Sequence, residues 1–383
     1  MRADLIATLG RDRAAERIRW LSRRAARAWR RIADPDDDAP LNHDAYLKLF
    51  ALARPTLPAE LLLVDEAQDL APVMLTLLDD AAPRRLLVGD PAQRIYAWRG
   101  AVDAMAASGL PETRLTRSFR FGPEIAAVAR RILTVIDRRP RLSGSGAAGS
   151  VRTVPEAAQP PCTVLCRTNA GVLEAALAFG EGGVHVVGGV AETVRLLRAA
   201  YALWADRGRS RPPAGRRNGR GRAQVPCGTD GPAHPELAGL NTWDALVEAA
   251  ERRRGALSML RTRVEAYGHD TPALCRALER AHLPREADAP VVLSTAHKAK
   301  GREWDHVTLW HDFPRVPTDA GALRAAPDRE AARSELNLLY VGVTRARRTL
   351  DLARLREDLS TWLAAPTEPS TAVEAGASAS LPG

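Results

Sequence analysis

The sequence predicts an α/β fold with parallel sheets, and three stretches carry that prediction. Leu61-Leu62-Leu63-Val64 is an apolar run that stops abruptly at Asp65-Glu66, and Arg85-Leu86-Leu87-Val88 stops in the same way at Gly89-Asp90. Val291-Val292-Leu293 runs into Ser294-Thr295-Ala296-His297-Lys298. Short continuous apolar runs suit strands covered on both faces, and open α/β sheets place their ligands beyond the carboxyl ends of such strands.

In chain order, residues 1–33 carry Leu5, Leu9, Ile18, Leu21, Ala25, Trp29 and Ile32 at helical spacing and end in Asp34-Pro35-Asp36-Asp37-Asp38, which predicts two helices and a loop. The run Arg23, Arg24, Arg27, Arg30, Arg31 reads either as a solvated helix face or as phosphate contacts. Asp65 and Glu66 can cap a following helix. They can equally divide labour, one holding hydrated Mg²⁺ and the other orienting and deprotonating a water for attack on a phosphoryl group, the Walker B arrangement. A helix over Ile125–Ile136, a Gly/Ser/Ala loop at 143–150 and a strand Thr163–Cys166 closing on Arg167-Thr168-Asn169 come next. Residues 207–235 are rich in Arg, Gly and Pro with hardly any large apolar group, so they read as a flexible insertion. Helical segments near 241–282 predict a small insert domain. The Ala/Ser/Pro/Thr tail from Pro366 predicts disorder.

With 383 residues and 45% apolar content the chain can bury sizeable cores in two or three domains. It has no window of eighteen apolar residues and no signal-peptide pattern, which places it in the cytoplasm and away from membranes. Cys162, Cys166, Cys227 and Cys275 lack paired ligand spacing, which argues against a disulfide framework and a zinc site. The net charge of +9 and pI near 10.0 favour an anionic partner. Lys48, Lys298 and Lys300 are the three lysines among 55 basic residues, and two of them share His297-Lys298-Ala299-Lys300-Gly301, a hint that ammonium chemistry is wanted there.

Asp65-Glu66-Ala67-Gln68-Asp69, followed by Gly89-Asp90-Pro91-x-Gln93-x-Ile95-Tyr96-x-Trp98-Arg99-Gly100-Ala101, resembles motifs II and III of the UvrD/Rep group of superfamily 1 DNA helicases. Arg114–Ile125 resembles motif IV, with Phe119-Arg120 where the family commonly has Tyr-Arg, and its Ser-Phe-Arg-Phe-Gly wording is similar to the F-box DNA helicase branch. Val291–Val307 resembles motif V and Glu335–Arg347 motif VI. The resemblance implies RecA-like P-loop NTPase motor domains with ATP between them and single-stranded DNA across the top. It divides the chain into a partial first motor domain (1–110), a first part of the second (111–205), the insertion and helical insert (206–284), a second part (285–365) and a tail (366–383).

By that resemblance Asp65 holds Mg²⁺ and Glu66 activates water, while Arg120 and Arg345 serve the γ-phosphate, Arg345 as an arginine finger, and Gln93 is a further catalytic residue that meets the nucleotide. Phe119 either stacks on adenine or packs on a helix. Glu303 and Gly301 meet the nucleotide, and Tyr96, Trp98, Arg99, Thr295 and His297 meet DNA. Lys300 lies near the domain interface, and Arg347 meets solvent. The implied ligands are ATP, Mg²⁺ and single-stranded DNA or a 3′-tailed duplex, with 3′→5′ polarity and a role in DNA repair or recombination; a protein partner stays open. No compact carboxylate and lysine nuclease motif follows Arg347.

The 383 residues contain no Gly-x-x-x-x-Gly-Lys-Ser/Thr loop, whose amides and lysine would cradle the β- and γ-phosphates. The expectation is therefore a first motor domain without its phosphate loop, an uncovered sheet edge, and little ATP turnover by these residues alone. Two readings stay open. One is a motor enzyme whose reading frame extends upstream of Met1; the other is a non-catalytic DNA-binding or regulatory fragment.

Overall fold

The structure, a computed structural model, describes residues 11–56, 59–81, 84–97, 100–136, 141–154, 160–207, 237, 239–252 and 256–365. Expectations for residues 1–10, for the insertion beyond Arg207, for the tail from Pro366, and for Trp98, Arg99 and Cys227 lie outside the described residues. Two compact units emerge, residues 1–112 and 113–383.

The first unit runs α1 (Arg11–Ala33), α2 (His43–Leu52), β1 (Leu61–Val64), α3 (Pro72–Ala81), β2 (Arg84–Leu87) and α4 (Ala104–Ser108). Helix α2 starts where Asn42 accepts the Ala45 N–H at 2.8 Å, satisfying one of the amides that a helix start leaves open. Strands β1 and β2 pair in parallel, Leu61 opposite Arg84 through Val64 opposite Leu87, and among the described residues they pair only with each other. One face of the pair packs Val64 and Leu87 against Met74, Leu75 and Leu78 of α3 and Ala104 and Met105 of α4. The opposite face, Leu61, Leu63, Leu86 and Val88, is exposed, with Leu63 at 67%. Cover on both faces was expected from the apolar run. The structure corrects this, because α3 and α4 both contribute to one side.

The second unit runs β3 (Arg117–Ser118), α5 (Pro123–Ile136), β4 (Ser143–Gly144), β5 (Ser150–Arg152), β6 (Cys162–Cys166), α6 (Asn169–Phe179), β7 (Val184–Val186) and α7 (Ala191–Ala205). It continues through α8 (Trp243–Arg252), α9 (Ala256–Tyr267), α10 (Thr271–Ala281), β8 (Val291–Thr295) and β9 (Trp304–Leu309). The last elements are α11 (Ala320–Ala325), α12 (Arg329–Val343), β10 (Ala346–Asp351) and α13 (Glu357–Ala364). Six strands form one parallel sheet in the order β5-β10-β9-β6-β8-β7. Every residue of β6 and β8 is buried, as continuous apolar runs require when helices cover both faces. Val164, Cys166 and Leu293 share one core with Leu173 of α6, Leu197 of α7, Leu246 of α8, Leu260 of α9 and Leu278 of α10. The helices of 243–281 are thus continuous with the sheet's core.

The Gly/Ser/Ala segment at 143–150 is less free than its composition suggests. Ser143-Gly144 pairs in parallel with Arg117-Ser118, and a Cβ on Gly144 would collide with the Gly122 carbonyl. Only glycine fits that approach of two backbones. The mixed α/β architecture with parallel sheets is the one the sequence predicts.

Candidate functional site

In the first unit the two strand ends are stitched together by Gln68, a residue wholly buried. Its Nε2 donates to Glu66 Oε2 at 2.5 Å, and its Oε1 accepts the Asp90 N–H at 3.0 Å. Glu66 itself sits in the left-handed region at φ 53°, a conformation uncommon outside glycine, and its N–H donates to Asp65 Oδ1 at 2.8 Å. Val88 locks the turn from the other strand, since its carbonyl accepts the Ala67 N–H at 3.0 Å and its N–H donates to the Val64 carbonyl at 2.8 Å. Asp90 then accepts from Ala92 N and from Gln93 Nε2, both at 2.9 Å. A side chain on Gly89 would strike Gln68 Oε1. Asp65, Glu66 and Gln93 are thereby held in one hydrogen-bonded chain, with both acids exposed. Tyr96 follows buried Ile95 and is half-buried.

In the second unit one cluster forms just before β9 and β10. Arg120 Nε meets Glu303 Oε2 at 2.6 Å, and its Nη1 donates to the Thr344 carbonyl at 3.3 Å, so residues far apart in the chain converge. The Arg120 guanidinium holds the Glu303 carboxyl below its ordinary range; burial pulls the other way, and the Arg347 and Arg345 charges add weaker downward pulls. Arg345 is 1% exposed and donates to the carbonyls of Val341 and Arg302 and to Thr344 Oγ1. Arg347, expected to meet solvent, is half-exposed but pairs with Asp305 at 2.8 Å and reaches Glu303 at 3.6 Å. Gly301 takes φ 79° in the preceding turn. Phe119 is 73% exposed beneath the Arg117 guanidinium, so packing on a helix does not account for it.

A second cluster follows the carboxyl ends of β6, β8 and β9. Asp312 accepts the N–H groups of Arg167 and Thr168 and the Thr168 hydroxyl, each at 2.8 Å, and Thr168 Oγ1 in turn accepts the Gly171 N–H to cap α6. The Arg167 guanidinium forms a two-bond fork with Glu335 at 2.7 and 2.5 Å. His297 sits beside this pair. Burial, then the Arg167 charge, pushes its imidazole below the usual histidine range, with Glu335 pulling the other way. Thr295 is buried and its hydroxyl accepts the Lys298 N–H. Asn169, Thr295, Lys298, Thr193 and Gly189 line one cleft, where Lys298 Nζ donates to the Val187 carbonyl.

The structure therefore gathers Asp65, Glu66 and Gln93 in one unit, and Arg120, Glu303 and Arg345 in the other with Thr295 and His297 at a separate cluster. Sequence reasoning missed Gln68, Asp312 and Glu335. Gln68 was visible inside the acidic run, but its partner lies 22 residues on; Asp312 and Glu335 act 145 and 168 residues from Arg167. Among the described residues no group of three or more His, Cys, Asp or Glu is placed to hold a metal ion by itself. No described helix is long and apolar enough to cross a membrane.

Residues 52–107 match the UvrD/REP helicase N-terminal domain and residues 269–356 the UvrD-like helicase C-terminal domain. The chain is 33% identical over 367 residues to F-box DNA helicase 1 of Gallus gallus, covering 88% of this chain and 33% of that relative. It is 28% identical over 348 residues to F-box DNA helicase protein 1 of Schizosaccharomyces pombe, at 82% and 36% coverage. To the ATP-dependent DNA helicase UvrD2 of Mycobacterium tuberculosis it is 28% identical over 336 residues, at 76% and 46%. The chain spans between a third and a half of the length of these curated relatives.

Proposed function

This chain belongs to the UvrD/Rep-type superfamily 1 DNA helicases, with its wording nearest the F-box helicase branch, and from that premise we propose that it is the single-stranded-DNA-binding part of an ATP-dependent 3′→5′ translocase. The observation that carries the reading is the convergence of Arg120, Glu303 and Arg345 into one cluster while Arg167, Thr295 and His297 form another within the same unit. The first has the two cations and one acid that a nucleotide's phosphates and sugar need. The second offers hydroxyl, imidazole and amide groups to a sugar-phosphate strand.

ATP with Mg²⁺ would supply the free energy for movement. Asp65 suits Mg²⁺, an ion that keeps several waters and takes only one or two carboxylates, because it is exposed and one of its oxygens receives only the Glu66 N–H. Glu66, fixed by Gln68, is the group to orient and accept a proton from water. Arg120 would exchange Glu303 for a phosphate, which releases the carboxylate toward sugar hydroxyls. Neutral His297 would donate or accept a hydrogen bond without a salt link. The relatives' ATP and DNA activities support this reading, as does the positive charge of +9.

A second reading is favoured by one specific observation, the lack of any Gly-x-x-x-x-Gly-Lys-Ser/Thr in these 383 residues. It makes this chain by itself a DNA-binding element without turnover. Both readings share one test. Fluorescence anisotropy with a labelled single strand should show affinity falling steeply from low to moderate salt, since each phosphate neutralised releases counterions. Unchanged affinity would remove the nucleic-acid reading. In an upstream-extended version that turns over ATP, a 3′ tail should be unwound in preference to a 5′ tail.

A further inference from the structure

Helix α1 has a composition that packing does not explain. Its 23 residues hold nine arginines against two acids, a charge of +7, and Ala14 is its buried residue among the described side chains. Arg13, Arg17, Trp20, Arg24, Arg27 and Arg31 recur at steps of four, three, four, three and four, so they form one stripe along the helix. Trp20 stands at its middle with the Arg17 and Arg24 guanidinium groups 4.9 and 4.7 Å from its ring. Those contacts stiffen two long side chains that would otherwise be free. Arg31 pairs with Asp37 at 2.8 Å, whereas Arg13, Arg24 and Arg27 have no carboxylate partner among the described residues. Lys48 adds a further cation over Trp29 at 4.3 Å.

From Arg13 to Arg31 the stripe is about 27 Å long at 1.5 Å per residue. A straight, preordered row of cations best fits a polyanion that is equally straight and preordered. Duplex DNA carries one charge per about 1.7 Å of axis and turns once in about 34 Å, so the stripe lies along most of one turn. A single strand or an acidic peptide would first have to be straightened, at a cost in conformational entropy. The planar guanidinium fork matches phosphate oxygens, which suits a row of arginines better than a row of lysines for holding that backbone.

We propose that α1 is a second nucleic-acid surface whose ligand is the phosphate backbone of duplex DNA, bound without sequence preference. It goes beyond the motor reading and needs neither ATP nor any motif residue. The test uses the whole 383-residue chain with labelled 20-base-pair blunt duplex and with a single strand, over a range of potassium chloride. Arg13, Arg17, Arg24 and Arg27 are changed together to Gln, which keeps helix propensity, and separately to Lys, which keeps charge. The Gln set should bind duplex at least about tenfold more weakly near 0.1 M salt and reduce the slope of log K against log salt by about 3–4, at roughly 0.9 per phosphate contact. The Lys set should stay within about threefold of the parent.

A Gln set within about twofold of the parent with an unchanged slope would overturn the proposal, as would a Lys set as weak as the Gln set. Equal loss of single-strand and duplex affinity in the Gln set would also refute it. So would displacement of the duplex by oligoglutamate of equal charge as readily as by unlabelled duplex.

Discussion

β1 and β8 ask for the same surroundings and receive different ones. Leu-Leu-Leu-Val and Val-Val-Leu-Ser-Thr are both short apolar runs ending in polar groups, yet β8 is buried at every residue whereas β1 alternates between exposed and half-buried. The difference lies in what the rest of the chain delivers. β8 has a strand on each side and helices from a long stretch of sequence packed on its core, while among the described residues β1 has one neighbour and cover on one face. An apolar run thus states a need for cover, and distant residues decide whether it is met.

The largest expected contrast is in stability. Leu293→Ala opens a cavity in a fully buried layer and should cost about 2–5 kcal/mol. Leu63→Ala, on the exposed face, should stay within about 0.5 kcal/mol. Urea unfolding of both variants checks this; equal losses would show that the exposed face of β1 is covered in solution.

The next contrast concerns how each unit holds its loop. Asp312→Ala leaves two backbone N–H groups and a hydroxyl without their acceptor and should cost about 1–3 kcal/mol, with weaker single-strand binding measured by anisotropy. Gln68→Leu should cost a similar amount in the first unit, because it strips Glu66 and the Asp90 N–H of a buried partner, yet leave single-strand affinity unchanged. If the two variants affect affinity alike, the strand-binding role proposed for the Arg167, Thr295 and His297 cluster is wrong.

The smallest expected effect is a pH dependence. His297 is held below its usual pKa, so folding favours the neutral ring. The unfolded chain takes the proton first as pH falls through about 6.5, and stability declines from there to the lower folded value; above 6.5 the contribution is complete. His297→Gln should flatten that decline in thermal melts at pH 7.5 and 5.5. An unchanged decline would assign it to another group.

Much of the fold was legible because it is local. The runs at β1, β6 and β8 announce parallel strands, and the paired acids at 65 and 66 stand at the end of the first of them. What stayed hidden depends on long-range pairing. Nothing near Asp312 marks it as the acceptor for Arg167 and Thr168, and nothing in Gly89 shows that it exists to make room for Gln68. Phe119 left packing and stacking equally open until its exposure argued against packing. The buried, carbonyl-bound state of Arg345 was likewise beyond the reach of a motif, which names a residue without its rotamer.

The chain is asymmetric in its equipment for a nucleotide. The second unit brings Arg120, Glu303 and Arg345 into one cluster, proposed above to meet phosphate and sugar, and the 383 residues lack the glycine-lysine loop that would cradle the phosphates. Loss of a preorganised cation at a transferring phosphoryl group corresponds to roughly a thousandfold in rate. The most direct measurement is steady-state ATP turnover by the purified chain, with and without saturating single-stranded DNA. The expected result is no DNA-stimulated turnover above background from a chain that nonetheless binds the strand. DNA-stimulated turnover that Glu66→Gln abolishes would contradict it.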